Sequence, residues 1–351
     1  MNMRRSLFLL GPLLWALSPS LAQTAPADAQ AYLESALQIM QENFVHRDKI
    51  DWAQIRRAAI DAARGAQKPE DTYDAIRAAL AQLGDRHSFL QLTPALARAE
   101  GQRRTPQGRP ATAVSPTPSP YANRTVEGSV ITERNRRIAR IVVPSFSGSD
   151  GNAFASSLQN LIAQLAAQNP CGWVVDLRGN GGGNMWPMLA GAGPILGEGV
   201  VGGFINYSGR KTNWYYERGQ VGSRRDGVAD TVTLTLTQPP VVLSGRPPVA
   251  VLIDRGTGSS GEAIAVVFRG RPDTRFFGEQ TYGVANSTFP FPLSDGAQLY
   301  MVVAVDVDRA GIEYDNGISP DQAVGAEAVS QEEDPGLKIA AKWLLERQSC
   351  P

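Results

Sequence analysis

Pro248-Val249-Ala250-Val251-Leu252-Ile253 is followed by Asp254-Arg255 and then by Gly256-Thr257-Gly258-Ser259-Ser260-Gly261-Glu262. Ala263-Ile264-Ala265-Val266-Val267-Phe268 comes next. The first apolar run reads as a buried strand and the last as a buried helix. A Gly- and Ser-rich turn between them has two physical uses. It lifts a small side chain out of the backbone into a cleft, and it sets that side chain at a helix N-terminus, where unpaired N–H groups favour developing negative charge. Both serve a nucleophilic serine. The plain alternative is a turn in which Ser259 or Ser260 caps a core helix.

Working outward, strands alternate with helices through the C-terminal two thirds. Gly128–Ile131 and Ile138–Val143 read as strands. Phe154–Ala167 reads as an amphipathic helix, with Leu158, Leu161, Ile162 and Leu165 on one face. Trp173–Leu177 reads as a buried strand leading into Arg178-Gly179-Asn180-Gly181-Gly182-Gly183, with a helix through Leu196 beyond. Val200–Tyr207 and Lys211–Tyr216 predict a hairpin, Glu217–Gln238 a polar excursion, and Gln298–Val307 a long strand. A helix over Leu337–Arg347 closes the chain. The pattern is that of an α/β (α+β) core occupying residues 125–351.

Residues 23–97 are different: apolar residues recur at helical spacing, as in Tyr32, Leu33, Ala36, Leu37 and Met40. Pro69-Glu70-Asp71 starts a third helix that Gly84 stops. This predicts a small helical bundle. Residues 98–124 carry five prolines, Pro106, Pro110, Pro116, Pro118 and Pro120, and read as a linker. Residues 1–22 have Arg4 and Arg5, a short apolar run and small residues at Ser20-Leu21-Ala22. They read as a cleaved signal peptide, which predicts export to the periplasm or the medium.

Composition narrows the function. Lys+Arg and Asp+Glu are both 34, so no basic excess points to nucleic acid. No zinc-ligand spacing is present, so no metal or organic cofactor is expected. In an oxidising compartment Cys171 and Cys350 are an even pair, and a disulfide between them would close a very long loop, worth roughly 4–5 kcal/mol in chain-entropy terms. Two separate thiols are the alternative. There are two histidines. His46 sits in a polar inter-helix turn and reads as surface. His87 follows the third helix in a turn, where either a satisfied polar residue or a base would fit. The Gly-rich run 178–183 has neither the Lys-Ser/Thr of a P-loop nor G-x-G-x-x-G spacing. It reads as either an oxyanion hole or a tight turn.

Taken together, Gly84-Asp85-Arg86-His87-Ser88, Val175–Gly183, Thr257–Glu262 and Asn316-Gly317-Ile318-Ser319-Pro320-Asp321 resemble the tail-specific (C-terminal-processing) and tricorn-core serine peptidase superfamily. The resemblance implies a ClpP/crotonase-like core and a polypeptide substrate. It implies that Ser259, three residues before Glu262, is the nucleophile, with the oxyanion held by Ser260 N–H and by Gly181 or Gly182. The lysine of one branch would stand at Val284, which accepts no proton. The histidine of the tricorn-like branch matches His87, an imidazole suited to general-base work near its ordinary pKa of about 6.5. That branch orients its histidine with a serine and a glutamate. Arg86 stands where the serine is expected, so Ser88 is the substitute, and Glu313 or Asp315 is the expected acid. The stretch between Leu92 and Ile138 is too short for the PDZ domain that many tail-specific proteases carry. The resemblance thus implies an exported serine endopeptidase; a binding module on the same scaffold and an esterase are the alternatives.

Overall fold

The computed structural model describes residues 28–103, 119–325 and 334–347. The segment read as a signal peptide, most of the proline-rich run and Cys350 lie outside the described residues.

Three α-helices come first among the described residues: α1 (Ala29–Asn43), α2 (Trp52–Ala62) and α3 (Tyr73–Ala81). Asp28 and Asp51 cap the first two by accepting from backbone N–H groups. A short strand, β1 (Phe89–Gln91), and α4 (Pro94–Arg103) follow. The linker expected from residue 98 therefore begins as helix. Its first residues, Arg98, Ala99 and Glu100, are good helix formers, and Glu100 holds Arg77 of α3.

The rest builds two sheets. In chain order come β2 (Glu127–Glu133), β3 (Arg136–Val142), α5 (Gly151–Ala166), β4 (Gly172–Asp176) and α6 (Met185–Leu196). Then come β5 (Gly199–Asn206), β6 (Lys211–Glu217), β7 (Gln220–Arg225) and β8 (Val228–Thr235). The last group is β9 (Val249–Ile253), α7 (Ser260–Arg269), β10 (Thr274–Gly278), β11 (Asn286–Pro292), β12 (Gln298–Asp308), β13 (Gln322–Ala323) and α8 (Pro335–Leu345). The expected polar excursion is in fact the β7–β8 hairpin. Most of β8 is exposed, but Thr231, Thr233 and Thr235 alternate with Val232 and Leu234 along it, a strand pattern set beside the charged run Arg224–Asp226.

One sheet runs β13-β10-β9-β4-β3-β2, parallel except for the β2 edge. Its central strands β4 and β9 are buried throughout, which explains their unbroken apolar runs. The second sheet is antiparallel, β1-β12-β5-β6-β7-β8, with β11 along the other edge of β12. The main core lies among α5, α6, α7 and both sheets. A second core joins α1–α3 to β12 through Leu299, Met301 and Val305. The bundle is thus packed onto the strand that α7 of the main core also contacts. On the outer side of the parallel sheet, α8 covers Val174, Ala250 and Leu252.

Candidate active site

Strands β4 and β9 are parallel neighbours, so their C-terminal ends bring the two Gly-rich turns side by side. Asp254, at the end of β9, braces both. Its Oδ1 accepts from Gly179 N (2.9 Å) and Gly256 N (3.0 Å). Gly258 N donates to Asn180 O at 2.9 Å, and the Ser260 hydroxyl donates to Gly183 O at 2.5 Å. The turns therefore move as one unit. At Gly182 a Cβ would lie 2.9 Å from Ser259 Cβ, and at Gly261 a Cβ would lie 2.1 Å from Asn180 O. The glycines are there for this close approach.

Ser259 adopts φ 51°, ψ −123°, a region that L residues with side chains rarely occupy. Such a conformation costs about 1–3 kcal/mol and persists only where surroundings impose it. Glu262 supplies much of that restraint. Its carboxylate is fully buried and accepts from Ser259 N (3.0 Å), Thr281 Oγ1 (2.5 Å), Gly283 N (2.8 Å) and Val284 N (2.9 Å). Burial raises its pKa, against the pull of those four donors. The Ser259 hydroxyl makes no cap hydrogen bond, despite the spacing to Glu262, and is left for other work.

The Gly317–Asp321 segment docks behind this turn. Ile318 N donates to Thr281 Oγ1 (2.8 Å), and Thr281 N donates back to Ile318 O (3.1 Å). Asp321 takes Arg269 of α7 at 2.7 Å. The motif holds the α7 helix and the Glu262 partners in place and does not itself face the cavity.

A cavity of about 590 Å³ opens beside Ser259, and His87, Ser260, Gly183, Asn286 and Asp306 line it with Ser259. His87 arrives from the loop between α3 and β1. Asp85 shapes that loop by accepting from His87 N (2.7 Å) and Ser88 N (2.6 Å). Arg86 anchors it, donating to Tyr282 O at 2.5 Å and lying 4.8 Å over the Tyr282 ring. Thr281–Val284 thus serves the site through Thr281 Oγ1 and the Gly283 and Val284 N–H groups, which hold Glu262, and through Tyr282, which anchors Arg86.

The orienting partner of His87 is not the expected one. His87 Nδ1 lies 2.6 Å from Asn286 Oδ1 on β11. A carboxamide oxygen only accepts, so Nδ1 carries the proton and Nε2 has the free lone pair. Glu313 is exposed, bridges Val307 and stays out of the cavity. Asp315 lies 2.7 Å from His46 Nε2 at the bundle–core seam, which makes His46 partly buried and not simply surface. Ser88 is likewise turned away: its hydroxyl accepts from Val302 N at 3.0 Å. These three residues were expected from the resemblance; the antiparallel pairing of β11 with β12 sets a residue from elsewhere beside His87. Asn286 carried no sequence signal beyond being polar at the start of a strand.

Gly182 also differs from expectation. Its N–H donates to Asn180 Oδ1 at 3.0 Å and is not free for a ligand. Gly181 is exposed and does not line the cavity. Gly183 does, and the bridge of Gly183 to Phe146 uses Gly182 O and Asn184 N, leaving Gly183 N–H without a protein partner. Ser260 N–H, first in α7, is unpaired too, as a first-turn donor should be.

Residues 137–324, more than half of the chain, match the model of peptidase family S41. The chain belongs to peptidase family S41. It is a serine-type peptidase with the mixed α/β fold of that family. The nisin-resistance protein of Lactococcus lactis subsp. lactis is 27% identical over 301 residues, 84% of this chain and 83% of that protein. Carboxyl-terminal-processing peptidase 2, chloroplastic, of Arabidopsis thaliana is 28% identical over 169 residues. That match takes 46% of this chain and only 29% of the plant protein. Among solved structures, a lipoprotein from Streptococcus agalactiae superposes with TM-score 0.62 at 21% identity, covering 91% of this chain and 97% of that one. A photosystem II D1 C-terminal processing protease superposes with TM-score 0.58 at 17% identity, covering 92% and 98%. These superpositions show a shared fold.

Proposed function

We propose that this S41 peptidase is an exported endopeptidase that cuts polypeptides by acyl transfer to Ser259, with His87 as general base. The carrying observation is that Ser259, held in a left-handed elbow with an uncommitted hydroxyl, shares one cavity with a histidine whose Nδ1 is already occupied by Asn286. His87 Nε2 takes the Ser259 proton as Oγ attacks the peptide carbonyl. The developing oxyanion is met by Ser260 N–H and Gly183 N–H, unpaired donors on residues that line the cavity. His87 then protonates the leaving amine, and water activated by the same nitrogen releases the acyl group. Asn286 holds the ring and its tautomer, in the place where Glu313, Asp315 or Ser88 was expected.

Export rests on residues 1–22, whose charged start, short apolar run and small-residue end fit a signal peptide. In that compartment we propose the Cys171–Cys350 disulfide. Cys171 immediately precedes β4 and packs into the cluster that α8 covers, and α8 ends five residues before Cys350.

The test is labelling by a fluorophosphonate probe at neutral pH in wild type, Ser259→Ala, Ser260→Ala and His87→Ala. Labelling is expected to vanish in Ser259→Ala and to slow by about 10²–10⁴ in His87→Ala, the usual worth of a general base. Undiminished labelling of Ser259→Ala would end the assignment.

A further inference from the structure

The cavity beside Ser259 contains a carboxylic acid that acyl transfer does not use. Asp306, on β12, is 1% exposed and lines the cavity. Its backbone is satisfied, N–H to Ala285 O and C=O from Tyr314 N, both at 3.0 Å. Its carboxyl is not. Oδ1 is buried without a hydrogen-bond partner, and among the described residues neither oxygen has an ion-pair partner. A buried polar group with no partner is expensive, and a native structure keeps one for a reason.

The location gives the reason. Asp306 stands directly opposite Phe204 of β5, so the two side chains share one sheet face, with Cβ atoms about 4.5–5.5 Å apart. Helix α7 lies over these strands and presents Ala263, one turn beyond Ser259 and on the same helix face. Ala263, Phe204 and Asp306 all line the cavity, and Met185 and Trp186 close another side. The half-buried Ser259 thus stands at the mouth of a slot with a small-residue wall, apolar sides and a single acid at its buried end. The lining holds no lysine, no arginine and no second carboxyl.

We propose that Asp306 sets specificity: the slot takes a lysine or arginine side chain from the substrate residue whose carbonyl Ser259 attacks. This rests on the reading of Ser259 as nucleophile. The methylene stem of such a side chain suits the Trp186, Met185 and Phe204 walls, and its cationic head supplies the partner that Asp306 lacks. Burial and the neighbouring Glu262 push the Asp306 carboxyl above the usual carboxylate range, which favours its neutral form, whereas a cation brought beside it favours the charged one. His87 at the mouth and Glu262 in the first turn of α7 are the other titratable groups around it. An acidic or short apolar side chain would leave the carboxyl unpaired.

The test uses two diphenyl phosphonates that differ in one side chain, a lysine type with a terminal ammonium and a norleucine type without it. Both phosphonylate a reactive serine, so no natural substrate is needed. Wild type is expected to react about a hundredfold faster with the lysine type, the scale of a desolvated charge contact. In Asp306→Asn and Asp306→Leu the ratio of the two rates is expected to collapse towards one; a ratio is unaffected by any general change in serine reactivity. Equal rates in wild type would overturn the inference, whether or not the variants fold. A preference that survives in both folded variants would also overturn it. A plain fluorophosphonate, run beside them, separates the two readings. If it labels wild type while the phosphonate ratio is one, only the slot assignment fails. If it does not label wild type, the nucleophile reading fails and takes the slot with it.

Discussion

Glu262 and Asp306 are two buried acids near one serine with opposite circumstances. Glu262 accepts four donors, and its charge is spread over them. In Glu262→Gln an amide NH2 faces donors it cannot satisfy, so stability is expected to drop by about 1–3 kcal/mol in urea unfolding. Loss of the restraint on Ser259 is expected to slow fluorophosphonate labelling as well. Asp306 has no partner, and its folded pKa lies above its unfolded value. Its proton therefore favours the folded state: the contribution is full below the unfolded pKa of about 4 and is lost as pH rises through the folded value. Asp306→Leu removes that loss. Its melting temperature is expected to exceed that of wild type by more at pH 8 than at pH 4, and an equal difference at both would contradict the placement. None of this was legible in the sequence, where Asp306 is one acid in the alternating run of β12. Ser259 was legible, because a Gly-flanked serine between an apolar strand and an apolar helix has few physical uses.

At the scale of elements, the site depends on two turns fitted together at van der Waals distance. Gly182 has φ +106°, and a Cβ there would press on Ser259 Cβ at 2.9 Å. Gly182→Ala is expected to shift the turn and lower labelling of Ser259 by about a hundredfold, the effect of misplacing a reacting group by roughly 1 Å. Melting curves distinguish this from general unfolding. The strand–turn–helix units were readable because β4 and β9 are buried on both faces and so are apolar but for Asp176 at the end of β4. The β7–β8 hairpin and β1 were not. β8 faces solvent, and β1 is three residues long, paired to β12 through Phe89 stacked on Tyr300 at 4.6 Å. β1 and β7 leave no periodic apolar signature, and although Val232 and Leu234 alternate with threonines in β8, that strand had no patterned neighbour beside it to complete a hairpin.

At the scale of the molecule, one ion network ties together segments far apart in sequence. Asp176 at the end of β4 takes Arg178 (2.8 Å), Arg140 (2.7 Å) and Arg124 (2.9 Å). Arg178 also holds Asp334, which caps α8. Burial opposes the Asp176 charge, yet the three arginines hold its carboxyl below the usual carboxylate range. A depressed folded pKa gives stability that is present above the unfolded value of about 3.9 and lost as pH falls below it. Wild type is therefore expected to lose stability as pH drops from about 4, and Asp176→Asn to lose less over that window while starting lower. Asp334→Ala removes one side of a buried pair and a helix cap. It is expected to cost about 3–5 kcal/mol by urea unfolding. A loss below about 1 kcal/mol, the scale of an exposed pair, would show that α8 is not tied through this network.

The sequence alone determined that a helical region precedes an alternating strand–helix core, that two Gly-rich turns follow buried strands, and that Ser259 and His87 were the groups to watch. Local chemistry decides those things: apolar runs make buried strands, glycine permits close turns, and two histidines leave a short choice. Only the tertiary structure decided who stands beside them. Asn286, not Glu313, Asp315 or Ser88, meets His87; Gly183, not Gly182, has the free N–H; and Asp306 waits without a partner in the cavity. These neighbours lie on strands whose order follows from packing two sheets and a bundle around β12, and contacts between residues far apart in the chain leave no spacing to read.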